Sequence, residues 1–147
     1  MSLLQEISSI SGFISEKYPD AAVHEFQEPP GLESNLFVVQ LREEVRRNET
    51  ASSMLVERQY IITFYDSNVG QVMSTMAELS HYLLSEPIHI PTLEAGRLLK
   101  IDSFTLQSAV QADGDLLACT GVFATQFREL RRMEPAEKVG RVQIQTL

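Results

Sequence analysis

The sequence has one cysteine, no tryptophan and no long apolar run. Cys119 cannot form an intramolecular disulfide, and its apolar neighbours favour a small hydrophobic role over that of a reactive thiol. No segment approaches the roughly 20 apolar residues that a membrane-spanning helix needs. The N-terminal residues also lack the basic start and apolar centre of a signal peptide. We therefore expect a protein that is made in the cytoplasm and has no membrane partner.

Motifs for catalysis and cofactor binding are also missing. The 7 glycines stand singly, so the sequence has neither a phosphate-binding loop nor a dinucleotide fingerprint. The histidines, His24, His81 and His89, have no helical metal-site spacing and no Cys-x-x-Cys beside them. Paired carboxylates such as Glu43 and Glu44 lie in polar sequence, without the apolar enclosure that raises the pKa of an acid catalyst. We predict no cofactor, no metal and no enzymatic activity.

The composition is that of a folded acidic domain. The chain has 147 residues, of which 44% are apolar and 22% charged, and these values are usual for a globular protein. Its formal charge of -8 disfavours specific nucleic-acid binding, because that affinity rests chiefly on cationic groups. The acidity suits a channel through which nucleic acid passes without sticking, and it equally suits plain solubility.

Two amphipathic helices are predicted from apolar spacing. The first should run from about Ser2 to Lys17, because Ser2 and Gln5 have the spacing of a capping box. The second should follow the N-cap candidates Asp66, Ser67 and Asn68 and run to Ser85. The apolar stripes are Leu3, Ile7, Ile10 and Ile14 in the first helix and Val72, Met76, Leu79 and Leu83 in the second.

The remaining regular segments are predicted strands. Asp113-Gly114 marks a hairpin turn, and the order of segments lacks the alternation of a parallel doubly wound sheet. We predict one α+β domain over residues 1–134, with an antiparallel (mixed) sheet, both helices on one side, a long closing hairpin and a tail at 135–147. The predicted strands run from Ala21 to Gln27, Asn35 to Glu44 and Met54 to Tyr65, and the hairpin arms from Arg97 to Gln111 and Leu116 to Arg132.

Two surfaces are candidates for binding. The polar stretch from Glu43 to Ser53 is predicted to be a protruding loop or hairpin tip, which either makes charged contacts between subunits or is simply solvated. The alternating tail from Arg141 to Leu147 either adds a strand to a neighbour's sheet, packs on its own subunit or frays. The predicted interface residues are Glu43, Glu44, Arg46, Arg47, Glu49, Arg131, Arg132, Arg141, Val142, Ile144 and Leu147.

The order of these segments resembles the tail terminator (tail completion) proteins of long-tailed bacteriophages and related contractile particles. The likeness lies in the order of the segments and in their apolar or charged character. It covers most of the chain and carries over no site residue. The matching segments are a helix opening with Ser2-Leu3-Leu4 and ending at Tyr18-Pro19-Asp20, the turn Glu28-Pro29-Pro30-Gly31, the apolar strand from Asn35 to Leu41, a charged excursion, the strand from Tyr60 to Tyr65 leading into a helix, and a closing hairpin.

The resemblance implies a virion subunit that is assembled in the host cytoplasm. Such subunits form a hexameric ring at the head-proximal end of the tail tube, stop tube polymerisation and offer a surface for head joining. The implied partners are other copies and the tail-tube protein, with sheath and neck or connector proteins as further candidates, while DNA only passes through the bore. The local arginines Arg46, Arg47, Arg131 and Arg132 could then lie on ring faces, subunit contacts or the bore.

Two other functions are compatible with the sequence. One is a head-to-tail joining or neck protein, which size and fold do not separate from a terminator. The other, from a different class, is a small ligand-binding or regulatory domain with a pocket lined by Met73, Met76 and Tyr82.

Overall fold

The computed structural model describes residues 2–85, 89–91 and 98–131, and it confirms the predicted α+β fold. The predicted tail at 135–147 lies outside the described residues. The elements are α1 (Leu3–Lys17), β1 (Ala22–Glu25), β2 (Leu36–Asn48), β3 (Ser53–Asp66), α2 (Val69–Leu84), β4 (His89–Pro91), β5 (Leu98–Lys100), β6 (Ser103–Leu106), β7 (Val110–Asp113) and β8 (Leu116–Leu130).

Both helices begin where their caps predict. The Ser2 hydroxyl accepts from the Gln5 amide and the Ser2 amide donates to the Gln5 side chain, each at 3.1 Å, so the capping box is complete. In α2, the Asn68 side chain accepts from the Gln71 amide at 2.9 Å. These bonds satisfy amide groups that the first helical turn leaves without a partner, which is why the local sequence predicts the two starts well.

The main sheet is mixed. Its order is β1-β2-β3-β8-β6, and β7 also pairs with β8. β1 runs parallel to β2, and the other pairs in this sheet are antiparallel. Among the described residues, β4 and β5 form a separate antiparallel pair. The long central strands β3 and β8 stay in register from Ser53 opposite Leu130 to Asp66 opposite Leu117.

The hydrophobic core lies between one face of the sheet and the two helices. Buried residues of both helix stripes share one cluster with Phe37, Tyr60 and Phe123 from three neighbouring strands. The Phe37 ring lies 4.5 Å from the ring of Phe64, and the rings of Tyr60 and Phe123 pack edge to face. The predicted placement of both helices on one side of the sheet is therefore correct.

The opposite face of the sheet is covered at one end by the segment between β1 and β2. There Leu32 packs on a small cluster that includes Leu36 and Tyr65. The Tyr65 hydroxyl donates to Glu28 at 2.6 Å and holds that segment against the sheet.

The closing hairpin differs from its prediction in one arm. The second arm is the single strand β8, and Gly114 adopts a φ of 59° in the predicted turn. The first arm is instead divided into β5, β6 and β7. Leu106 lies opposite Gly121 and Val110 lies opposite Ala118. The first arm therefore has one more residue between these two pairs than β8 has, and this extra residue separates β6 from β7.

Candidate subunit-interaction surface

The main sheet projects beyond its outer strands as a three-stranded extension. β1 pairs with β2 only as far as Val39, and β6 pairs with β8 only as far as Ala124. Among the described residues, only β2, β3 and β8 continue past these points. We call residues 43–58 and 125–130 the extension. Its β2 part, residues 43–48, is exposed throughout.

The stretch from Glu43 to Ser53, predicted to be a protruding loop or hairpin tip, does contain a hairpin tip, but most of its length is strand. Residues 43–48 belong to β2, and β3 already begins at Ser53, so only residues 49–52 form the hairpin tip. A bulge at Arg42 separates this part of β2 from the buried part. The sequence appears loop-like because it is polar, but pairing with β3 supplies backbone hydrogen bonds that polarity alone does not reveal.

The tip is closed by short-range hydrogen bonds. The amides of Glu49 and Thr50 donate to the Ser53 carbonyl at 3.1 and 3.2 Å. The Thr50 hydroxyl accepts from the amides of Ser52 and Ser53. Directly after β8, the Arg131 amide donates to the Ser52 carbonyl at 2.9 Å, which ties the end of the third strand to the tip.

Charged side chains cross the strands on the face that carries the helices. The register places Glu44, Arg46 and Glu129 on this face, because they pair with residues of the same parity as buried Tyr60. Arg46 contacts Glu44 at 3.3 Å and reaches over β3 to Glu129 at 2.6 Å. The hydrogen bond to Glu129 is the main reason that the pKa of Arg46 is raised.

Two further ion pairs lie on the opposite face. Arg47 pairs with Glu57 on the neighbouring strand, and Arg128 makes two hydrogen bonds to Glu49 at 2.6 and 3.0 Å. Arg128 thereby holds the pKa of the Glu49 carboxyl below its usual value. Of the arginines that the sequence marked as locally basic, Arg46 and Arg47 are thus neutralised within the subunit, and the extension is not a basic patch.

A bridge joins the extension to α1, and it consists of Glu6, Arg58, Glu44 and Tyr60. We call it the buried bridge because three of these residues are buried, whereas Glu44 is exposed. The Arg58 side chain is only 3% exposed, and its guanidinium contacts Glu6 at 3.0 Å and Glu44 at 2.6 Å. The Tyr60 hydroxyl donates to the same Glu6 oxygen at 2.5 Å. The Arg58 guanidinium also lies 5.1 Å from the centre of the Phe127 ring.

The pKa shifts in the buried bridge follow from burial and hydrogen bonding. Burial alone would lower the pKa of Arg58, but its hydrogen bonds to Glu44 and Glu6 raise it. The hydrogen bond from Arg58 lowers the pKa of Glu44. Burial raises the pKa of the Tyr60 hydroxyl, and the bond to Glu6 raises it further. At neutral pH, Arg58 is therefore charged and the Tyr60 hydroxyl keeps its proton.

Sequence reasoning missed Glu6 and Arg58, although a signal for both was present. Arg58 has the same strand parity as Val56 and Tyr60, so alternation places it on the buried face of β3. Glu6 precedes Ile10 by four residues and therefore lies on the apolar stripe of α1. Two opposite charges, each on a buried face, indicate a buried ion pair.

The two edges of the extension differ in how readily they can accept another strand. On the β2 edge, the bulge at Arg42 and the charges at positions 43, 44, 46 and 47 hinder pairing. On the β8 edge, the Asp102 amide donates to the Ala124 carbonyl, so the backbone groups of Ala124 point away from β3. Because this direction alternates along a strand, the amide and carbonyl groups of Gln126, Arg128 and Leu130 also point away from β3. Past Asp102, β5 still lies beside β8 at Lys100, whose carbonyl accepts from the Thr125 hydroxyl at 2.5 Å. Beyond Thr125, the described part of the chain pairs no strand with this edge, and Leu130 is 78% exposed. The β8 edge is therefore the better acceptor.

The other predicted interface residues have mixed positions. Glu43 is exposed on β2 and has no ion pair among the described residues. Arg131 lies at the tip, where its side chain donates to the Ala51 carbonyl at 3.3 Å. The remaining five, Arg132, Arg141, Val142, Ile144 and Leu147, lie outside the described residues.

The chemistry available in the described residues is limited. Cys119 is buried as predicted, its thiol donates to the Gln107 carbonyl at 3.2 Å, and burial raises its pKa. Met76, proposed above as a pocket residue, lies fully within the core. Residues 2–85, 89–91 and 98–131 contain no group of three or more histidine, cysteine or acidic residues placed to hold a metal. No helix in these ranges is long and apolar enough to span a membrane.

Comparisons with known proteins do not identify a family. No family model matches the sequence, and no curated protein matches it. One solved structure, of a protein named only by a sequence number, is 10% identical and covers 89% of this chain and 94% of that chain, with a TM-score of 0.44. A similarity of this size carries no argument about function.

Proposed function

We propose that this chain is a structural virion protein that forms a ring at the head-proximal end of a bacteriophage tail tube. The ring ends tube polymerisation and provides the interface for head joining. The observation that carries the proposal is the three-stranded extension, a projecting and internally neutralised sheet on a small α+β core. The order of the segments, which resembles the tail terminator family, supports the same function.

The extension suits contacts between identical subunits that repeat around a ring. Its two edges are unlike among the described residues, with β2 protected and β8 open beyond Thr125, so a neighbour would bind one edge and not the other. Such a head-to-tail contact closes into a ring when the rotation between subunits closes. The cross-strand ion pairs order the extension before it meets a partner, which reduces the entropy lost on binding.

The partners follow from this proposal. Six copies of the chain would stack on the tail-tube protein, with sheath and neck or connector proteins on the outer and upper sides. DNA would pass through the bore without specific contacts, as the formal charge of -8 favours. The proposed strand donor for the β8 edge is the tail from Arg141 to Leu147 of a neighbouring copy, on the evidence of its alternating sequence.

The oligomeric part of the proposal can be tested with a pair of variants at Gln126. Gln126→Pro removes an amide on the open β8 edge without removing a bond to β3, whereas Gln126→Ala keeps that amide. We expect native mass spectrometry to show one closed ring for the unmodified chain and for Gln126→Ala, and monomers for Gln126→Pro. An unmodified chain that stays monomeric at high concentration contradicts ring formation, and an intact Gln126→Pro ring contradicts the use of this edge.

The biological role requires particles made without the protein. Electron microscopy should then show tails of uncontrolled length, because tube growth lacks its terminator. Tails of normal length that fail to join heads would contradict termination and favour the joining or neck function. Tail-tube or sheath genes beside this gene would support either virion function over ligand binding.

A further inference from the structure

The buried bridge lies at the point where the extension leaves the core. Arg58 and Glu44 are directly opposite each other on β3 and β2, and Glu6 reaches them from α1. We propose that Arg58 is a positioning residue, which fixes the direction of the extension by tying two of its strands to α1. This inference concerns the single subunit and goes beyond the proposed ring, because it applies whatever the extension binds.

The location of the β-bulge explains why such a tie is needed. The bulge at Arg42 interrupts regular pairing between β2 and β3 just below Glu44. Bulges bend a strand and increase its twist, so the direction of β2 above the bulge is less constrained by pairing alone, whereas β3 and β8 stay in register throughout. The guanidinium of Arg58 restores the constraint, because its planar fork holds Glu6 and Glu44 in defined directions.

The bridge is poorly suited to stabilising the fold for its own sake. Glu6 is fully buried, yet one of its carboxylate oxygens, Oε2, has no hydrogen-bond partner among the described residues. A buried acceptor left without a partner costs free energy, and buried ion pairs can often be replaced by apolar residues without loss of stability. An apolar replacement would fill the same space but would not specify a direction. The feature is thus better explained by orientation than by stability.

The test replaces the bridge by apolar side chains and measures the extension and the core separately. In the triple variant Glu6→Leu, Arg58→Met and Tyr60→Phe, no buried charge or hydroxyl of the bridge remains. We expect an unfolding midpoint in urea equal to or above that of the unmodified chain. Amides of residues 43–48 and 53–57 should exchange hydrogen about tenfold faster or more, while those around Phe64 should not change. Unchanged exchange in the extension at unchanged stability would overturn the inference.

A milder pair of variants keeps the inference testable if the triple variant does not fold. Arg58→Lys retains the charge but loses the fork, and Arg46→Lys makes the same change in an exposed ion pair. Faster exchange of the extension is expected for Arg58→Lys and not for Arg46→Lys. Equal behaviour of the two variants would overturn the inference. Hydrogen exchange is measured on dilute monomer. A chain that never forms rings would therefore refute the proposed function but would leave the outcome of the exchange experiment unaffected.

Discussion

Removing Arg58 alone should be far more damaging than replacing the whole bridge. Arg58→Met keeps an apolar stem but leaves the carboxylate of Glu6, fully buried in α1, without the guanidinium 3.0 Å away. Breaking a buried ion pair by removing one partner costs about 3–5 kcal/mol, because the remaining charge is left in a poorly solvating environment. With Arg58 only 3% exposed, water cannot replace it without local opening.

The assay compares this variant with a matched one. Arg47→Met makes the same substitution in the exposed pair with Glu57, where about 0–1 kcal/mol is expected. For a chain of this size, 1 kcal/mol corresponds to about 2–4 °C in the melting temperature. Calorimetry at pH 7 should therefore show a decrease of about 6–20 °C for Arg58→Met and of less than about 4 °C for Arg47→Met.

The result that would refute this reasoning is a decrease for Arg58→Met no larger than that for Arg47→Met. Such a result would mean that water or a neighbouring side chain compensates the charge of Glu6 once the guanidinium is gone. Glu44→Gln removes the other carboxylate that contacts Arg58. Its effect on stability should be small, because the Glu44 side chain is 30% exposed and Arg58 keeps its contact with Glu6. A loss of about 1 kcal/mol or less is expected there.

Three further predictions concern the core and the pH range. Gly121→Ala should destabilise the fold by about 1–3 kcal/mol in urea titrations, because the added methyl would lie 2.1 Å from the Phe104 ring; an unchanged midpoint would contradict this packing. Cys119 should react with a thiol reagent far more slowly in the folded protein than in urea, since it is buried and its pKa is raised. Three tyrosines have pKa values raised chiefly by burial, so the unfolded chain loses these protons more readily and stability should fall as the pH rises above about 10. A rise in phenolate absorbance near pH 10 that exceeds the contribution of one of the four tyrosines, without loss of structure, would contradict this for Tyr18, Tyr60 and Tyr65.

Local features of the sequence predicted the elements whose stability is also local. The capping box at Ser2, the cap at Asn68 and the turn at Gly114 are visible in sequence because each satisfies backbone groups within a few residues. The apolar stripes likewise predicted which helix faces enter the core. The α+β class follows from the order of these elements.

Features that depend on distant pairing were not predictable in the same way. The parallel direction of β1 and the break between β6 and β7 depend on partners elsewhere in the sheet. Residues 43–48 have a loop-like sequence but form a strand because β3 pairs with them.

By itself, the sequence determined the helix starts, the main turn and the buried face of each helix, because short-range hydrogen bonds and periodicity decide these. Only the tertiary structure decided that the polar stretch after Arg42 is part of a sheet and that its arginines are neutralised within the subunit. It also brought Glu6 against Arg58. The physical reason is that a charge far along the chain affects neither local propensity nor capping, yet it decides whether a buried cation can be accommodated.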